Sequence, residues 1–274
     1  MAENELGKNL IFVCGCGHSG TTLLWAMLSA HSRIYGIPYE TAVFLNSRRN
    51  NKKHLSVLRK AVVSTYFKIL NDHAKTIFSK FERNGYLSFT RSDKNIISFF
   101  NNQLNNAANI NKNMICEKTP RHVLKIDRIK NIFPRSSIIV LVRNGLDVTA
   151  SIKERRGIFD NAMDRWISDN KTMLKLKDDY PFHMVKYENL ITDSENELRE
   201  ICKYCNLEFE DSMISYQDLP SEYKWKFEQR REQVYRPITD RRGRWKETLT
   251  DNEVVKFMEN AGDLMTYFGY ETIQ

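Results

Sequence analysis

Cysteine is scarce in this chain, five in 274 residues, too few for the disulfide framework that staples small secreted domains. Cys14, Cys16 and Cys116 lie in or beside apolar, strand-like runs, where a thiol packs as a small hydrophobe. Cys202 and Cys205 form a CxxC. No second CxxC or histidine pair completes a zinc site, so that pair reads as structural, and no metal is expected elsewhere. No apolar run approaches the roughly 20 residues that cross a bilayer. The apolar Leu10 to Val13 is also too short for the core of a secretion signal. The expectation is a cytoplasmic chain with reduced thiols and no membrane span.

What the chain has is a core and a surplus of positive charge. Apolar residues make up 41% of it, with 15 Phe, 12 Tyr and 4 Trp, which excludes wholesale disorder. Lysine and arginine number 42 against 34 acids, a net charge of +8. That balance suits an anionic partner: nucleic acid, a membrane surface or a multiply charged small molecule. One basic cluster runs from Arg48 to Lys60 and reads as an exposed helix and loop. The other runs from Arg230 to Lys246.

Along the chain, short apolar runs alternate with helical periodicity. Asn9 to Cys14 is a continuous apolar run of the kind that forms a buried parallel strand. A glycine-rich loop follows, then a helical pattern from Thr21 to Ser32. Met114 to Cys116, Ser137 to Val142 and Phe182 to Lys186 are further strands. Leu124 to Ile132, Asp147 to Arg155, Glu195 to Asn206 and Asp251 to Phe268 are helices. Residues 42–110 read as helices and loops, and the asparagine-rich Asn101 to Asn113 reads as partly connector. The alternation predicts an α/β fold with a mostly parallel sheet, in a single domain over 1–274 that carries 42–110 as a helical insertion.

The first candidate site is the loop Gly15, Cys16, Gly17, His18, Ser19, Gly20, followed by Thr21 and Thr22 at the helix start. Glycines let backbone wrap an anion, and the N–H groups of a helix N-terminus point at it. It is not a Walker A loop, because Thr21 stands where that motif needs lysine. The second site is Arg143, ending the strongest strand, with Ser151 two turns into the next helix. An arginine fork and a hydroxyl at the carboxyl end of a parallel sheet suit a phosphate dianion.

Ser19, Gly20, Thr21 and Thr22 after a strand resemble the 5′-phosphosulfate loop of the PAPS-dependent sulfotransferases, above all the carbohydrate, tyrosylprotein and bacterial types. The stretch from Ile138 through Arg143 to Ser151 is similar to their 3′-phosphate signature. Tyr187, Glu188, Asn189 and Leu190 resemble the strand-end segment whose tyrosine lies near adenine. Arg241 to Lys246 resembles the C-terminal segment whose arginine and glycine, here Arg242 and Gly243, contact the 3′-phosphate. The resemblance covers residue 9 to about 270 and implies a P-loop-like three-layer α/β/α fold. It departs at His18, where the family has lysine or arginine; a protonated histidine could supply part of that charge.

The same resemblance implies a sulfotransferase that takes a sulfuryl group from PAPS (3′-phosphoadenosine 5′-phosphosulfate), releases PAP and needs no metal. Gly17, His18, Ser19, Gly20, Thr21, Thr22, Arg143, Ser151, Tyr187, Arg242 and Gly243 would bind the nucleotide. Glu40, followed by Thr41, matches the family's base, and burial would strengthen it. Lys118, in the run Glu117, Lys118, Thr119, Pro120, matches the lysine that reaches the transferring group. His18 joins these two as a catalytic candidate, and His31 and His122 are alternative bases. A carbohydrate hydroxyl is the first acceptor to expect, then tyrosine or a small phenol. A small-molecule kinase is the competing enzyme; it needs a loop lysine and an acid where Arg143 stands. A non-catalytic anion- or nucleic-acid-binding module would need no pair of phosphate-holding elements, so no nucleic-acid partner is expected.

Overall fold

A computed structural model describes residues 3–45, 92–218 and 237–271. The first basic cluster and most of the 42–110 insertion lie outside the described residues.

Five parallel strands form one sheet: β1 (Leu10–Gly15), β2 (Ile34–Gly36), β3 (Met114–Lys118), β4 (Ser137–Val142) and β5 (His183–Lys186). Their spatial order is β2-β3-β1-β4-β5. β1 is central, with Val13 beside Lys118 of β3 and beside Ile139 of β4. The chain therefore crosses from one side of β1 to the other between β3 and β4. Such a reversal leaves a crevice at the carboxyl ends of the strands, where ligands bind in open parallel sheets.

The central strands β1 and β4 are almost wholly apolar because both faces of the sheet are covered. Alternate residues point to opposite faces. Leu10, Phe12 and Cys14 join one core with Ile138, Val140 and Val142. Ile11 and Val13 join the other with Ile139 and Leu141. The first core is covered by α3 (Asp93–Ala108), α4 (Ile126–Ile132), α6 (Phe159–Leu176) and α10 (Asp251–Tyr267); α1 (Glu3–Gly7) adds Leu6. The second is covered by α2 (Thr21–Ser29) and α8 (Ser194–Tyr204). The remaining α-helices among the described residues are α5 (Gly145–Arg156), α7 (Tyr187–Thr192) and α9 (Trp245–Thr248). This is a mostly parallel sheet with helices on both faces, the α/β arrangement expected.

Two elements add detail to the expectation. The asparagine-rich stretch is mostly helix: α3 is capped by Ser92, whose hydroxyl accepts from Asn95 N, and buries Ile96, Phe99, Phe100, Leu104 and Ala107. Phe100 packs edge-on to Phe12, and Phe12 packs edge-on to Phe44, which anchors the segment after Glu40. Residues 34–36 form the short edge strand β2. All five cysteines are buried and unbridged. Burial pushes the Cys202 thiol up to about 11 and Cys205 up to about 12, which suits packing and not thiolate chemistry. No described helix is long and apolar enough to cross a membrane.

Candidate active site

The glycine-rich loop leaves the carboxyl end of β1 and turns into α2. Gly15 has φ +150°, and a Cβ there would lie 2.3 Å from Leu141 O. Gly20 caps α2 in the left-handed region at φ 95°, with no side chain capping the helix, so the first N–H groups of α2 are left to a ligand or solvent. His18 is also left-handed, at φ 73°. Ser19 is fully buried, and its hydroxyl has no hydrogen-bond partner among the described residues. Thr21 is buried and Thr22 half-buried at the helix start. A strained loop with an unspent buried hydroxyl under an uncapped helix fits an anion.

Arg143, Ser151 and Tyr187 gather at this loop. His18 Nδ1 lies 2.9 Å from Ser151 Oγ on α5. Arg143 is buried, donating to His18 O at 3.3 Å and to Arg241 O at 2.7 Å. It thereby ties the loop to the C-terminal segment, while its Nε has no partner among the described residues. Its guanidinium stacks 4.4 Å from the centre of the Tyr187 ring, a cation–π contact. That ring fills the space a Cβ on Gly20 would need, 2.4 Å from Tyr187 Cδ2. Burial raises the Tyr187 phenol above its ordinary range.

The C-terminal segment is held from below by Asp147, whose carboxylate accepts from Gly243 N at 3.1 Å and Trp245 N at 3.3 Å. Arg242 is exposed and its guanidinium pairs with Asp240 at 2.7 Å. Arg241 is half-buried instead: burial first, then Arg244, Arg143 and Arg155, lower it from the usual arginine value. Sequence reasoning missed Arg241 and the roles of Asp147 and Glu188. Glu188 accepts from Asn144 N at 2.9 Å and from the Tyr270 hydroxyl at 2.8 Å.

Glu40 and Lys118 meet. Lys118 Nζ, at the end of β3, lies 2.7 Å from Glu40 Oε1. The Lys118 side chain is 2% exposed but Glu40 is 38% exposed, so the deep burial expected of Glu40 is not found. Its place is fixed one residue on, by the fully buried Glu117. The Glu117 carboxylate accepts from the Thr41 hydroxyl at 2.8 Å and the Thr119 hydroxyl at 2.6 Å, and its other oxygen lies 3.0 Å from His122 Nδ1. Burial alone would raise Glu117. The His122 charge, with hydrogen bonds from His122, Thr119 and Thr41, outweighs it and holds the carboxyl below the usual glutamate value. His122 is thus locked in a buried pair. His31 follows α2 at the opposite edge of the sheet, its Nε2 on Glu208 O at 3.0 Å, and burial lowers its pKa.

A cleft of about 260 Å³ opens here, lined by Glu40, Ala42, Leu45, Thr119, Pro120, Arg121 and Arg165. Arg165 reaches across it to the loop, as a Cβ on Gly17 would lie 2.6 Å from Arg165 Nη2. No group of three or more His, Cys, Asp or Glu among the described residues is arranged to hold a metal ion.

A glycine-rich loop at the end of the central strand of a parallel sheet, with an arginine just past the neighbouring strand, defines an α/β protein of the P-loop-like class. The model of the sulfotransferase family matches residues 10–211, and the chain belongs to that family of transferases. It is 23% identical to protein-tyrosine sulfotransferase A of Caenorhabditis elegans over 281 aligned residues, covering 95% of this chain and 67% of that protein. The sulfotransferase domain of the olefin synthase of Synechococcus PCC 7002 superimposes with a TM-score of 0.66 at 18% identity, covering 92% of this chain and 94% of that domain. A mouse sulfotransferase complexed with PAP superimposes with a TM-score of 0.51 at 14% identity, covering 94% and 85%. Family and fold support sulfuryl transfer, against the kinase alternative.

Proposed function

We propose that this chain transfers the sulfuryl group of PAPS to an acceptor hydroxyl, with Glu40 as general base and Lys118 as the cation that receives developing charge. The Lys118–Glu40 pair at 2.7 Å carries the reading, because it sets a carboxylate and a buried ammonium together at the carboxyl edge of the sheet. The donor supplies an activated sulfuryl group on a phosphate that leaves readily, so the residues need only bind, orient and move one proton. The loop from Gly17 to Thr22 would hold the 5′ end. Arg143 and Ser151, with the segment at Arg242 and Gly243, would form the 3′ side, and Tyr187 would lie near the base. As the acceptor oxygen bonds to sulfur and the bridging S–O bond breaks, Glu40 takes the hydroxyl proton and Lys118 faces the growing negative charge. Residues 1–274 act as one domain in this reading, with a glycan or small-molecule hydroxyl as acceptor. Similarity to a protein-tyrosine sulfotransferase favours a second acceptor class, the tyrosine phenol.

Thermal shift with adenosine 3′,5′-bisphosphate, beside ATP and AMP, tests the donor. At a hundredfold excess over Kd the stabilisation is about 2.7 kcal/mol, several degrees for a chain of this size. Glu40→Gln is expected to keep that shift and lose radiolabel transfer from PAPS to glycan and tyrosine-peptide acceptors. A shift with ATP but none with the bisphosphate overturns the donor, and full turnover by Glu40→Gln overturns the base.

A further inference from the structure

The loop from Gly15 to Thr22 holds no lysine or arginine, and His18 turns its Nδ1 towards Ser151. A guanidinium stands on the other side of the loop. Arg165, on the first turns of α6, would touch a Cβ at Gly17 at 2.6 Å through Nη2 and at 3.2 Å through Cζ. Gly17 is not among the residues of positive φ, so its backbone does not require glycine; the space its missing side chain leaves is filled by the guanidinium. The acid nearest Arg165 is Asp169, one turn on, at 3.6 Å, beyond hydrogen-bond length. Both Arg165 Nε and Asp169 Oδ2 are buried without hydrogen-bond partners among the described residues. Burial raises the Asp169 carboxyl above the usual aspartate value, while Arg165 and Arg121 beside it pull the other way. An arginine with a buried Nε that makes no hydrogen bond, its side chain only 22% exposed and its guanidinium against a glycine-rich loop, is placed to receive an anion.

We infer that Arg165 is a donor-binding residue, a cation supplied from α6 to the 5′-phosphosulfate end of the nucleotide in place of the missing loop lysine or arginine. This rests on the donor assigned above and extends it to a residue outside the family's nucleotide-binding segments. The guanidinium also lines the cleft with Glu40 and Thr119, so it faces the side from which the acceptor enters. A planar, permanently charged fork there would hold the phosphosulfate in one orientation.

The test compares two nucleotides that differ only at the 5′ end, adenosine 3′,5′-bisphosphate and adenosine 3′-monophosphate, by titration calorimetry on wild type and Arg165→Gln. Loss of a charge-assisted contact is expected to weaken bisphosphate binding about tenfold to a hundredfold and to leave the 3′-monophosphate Kd unchanged. Arg165→Lys is expected to recover part of the difference. If Arg165→Gln does not fold, Arg165→Met keeps the apolar stem without the charge and predicts the same selective loss. An unchanged ratio of the two affinities in the variant overturns the role of Arg165 and leaves the donor assignment standing. A wild-type chain that binds the bisphosphate no better than the monophosphate overturns both.

Discussion

Glu117→Gln tests whether a buried charge positions the proposed base. Glu117 is 1% exposed and makes no contact with the cleft. Its carboxylate takes the Thr41 hydroxyl and backbone N–H at 2.8 and 3.3 Å and the Thr119 hydroxyl at 2.6 Å, and it faces His122 at 3.0 Å. Glutamine has the same shape, keeps one acceptor oxygen and turns an NH₂ towards the remaining partners. Breaking a buried charged pair costs about 3–5 kcal/mol, so the melting temperature should fall by on the order of 10 °C. Thr41 is released with it, so turnover should fall more than affinity for adenosine 3′,5′-bisphosphate. The acid dependence has a definite sign. The folded carboxyl titrates below the unfolded value of 4.5, so its charge contributes stability that is full above the unfolded value and is lost as pH falls through the folded one. Circular-dichroism melts should show the gap between wild type and variant at about pH 5 shrinking with further acid. A variant melting within about 2 °C of wild type, or a gap that widens below the unfolded value, would refute the reasoning.

Two further outcomes follow from the geometry of the loops. Gly20→Ala forces a side chain into left-handed backbone, about 1–2 kcal/mol, and pushes on Tyr187 at 2.4 Å. Urea unfolding should show at least that loss, with weaker bisphosphate binding. Asp147→Asn turns an NH₂ towards the N–H of Gly243 or Trp245 and should cost about 1–3 kcal/mol. Hydrogen exchange should then speed up at those amides and leave the strands unaffected.

The parts legible in the sequence are those where one local rule has no competitor. β1 and β4 are buried on both faces, so they are continuous apolar runs bounded by Gly15 and Arg143. α10 begins at a capping box of Thr250 and Glu253, a short-range signal. The bounds of α3 were not legible because its asparagines are poor helix formers, and packing of Phe100 against Phe12 of β1 outweighs that preference. The short β2 lacks the length that makes a strand pattern. At the site, Gly20, Arg143 and Glu40 stand in recognisable motifs. Arg165 does not: an arginine on an amphipathic helix reads as a solvated face, and the signal that could have exposed it is Gly17. Arg242 shows the opposite limit, since neighbouring arginines are equivalent in a motif while backbone direction leaves Arg241 half-buried and Arg242 on Asp240.

The family match ends at residue 211, yet Arg143, Asp147 and Glu188, all inside it and at the site, use their polar atoms on the chain beyond. Arg143 donates to Arg241 O, Asp147 accepts from Gly243 and Trp245, and Glu188 accepts from Tyr270. These are separated from their partners by some 80 to 100 residues, so the contacts form only when the sheet is built. Left without partners, buried groups of this kind cost about 1–3 kcal/mol each. The C-terminal segment is therefore part of the foundation of the site. It fixes Arg143, Arg143 fixes the His18 carbonyl and the Tyr187 ring, and that ring is what Gly20 must be a glycine to admit. The loop at the end of β1 takes its shape from residues at the far end of the chain as much as from its own glycines.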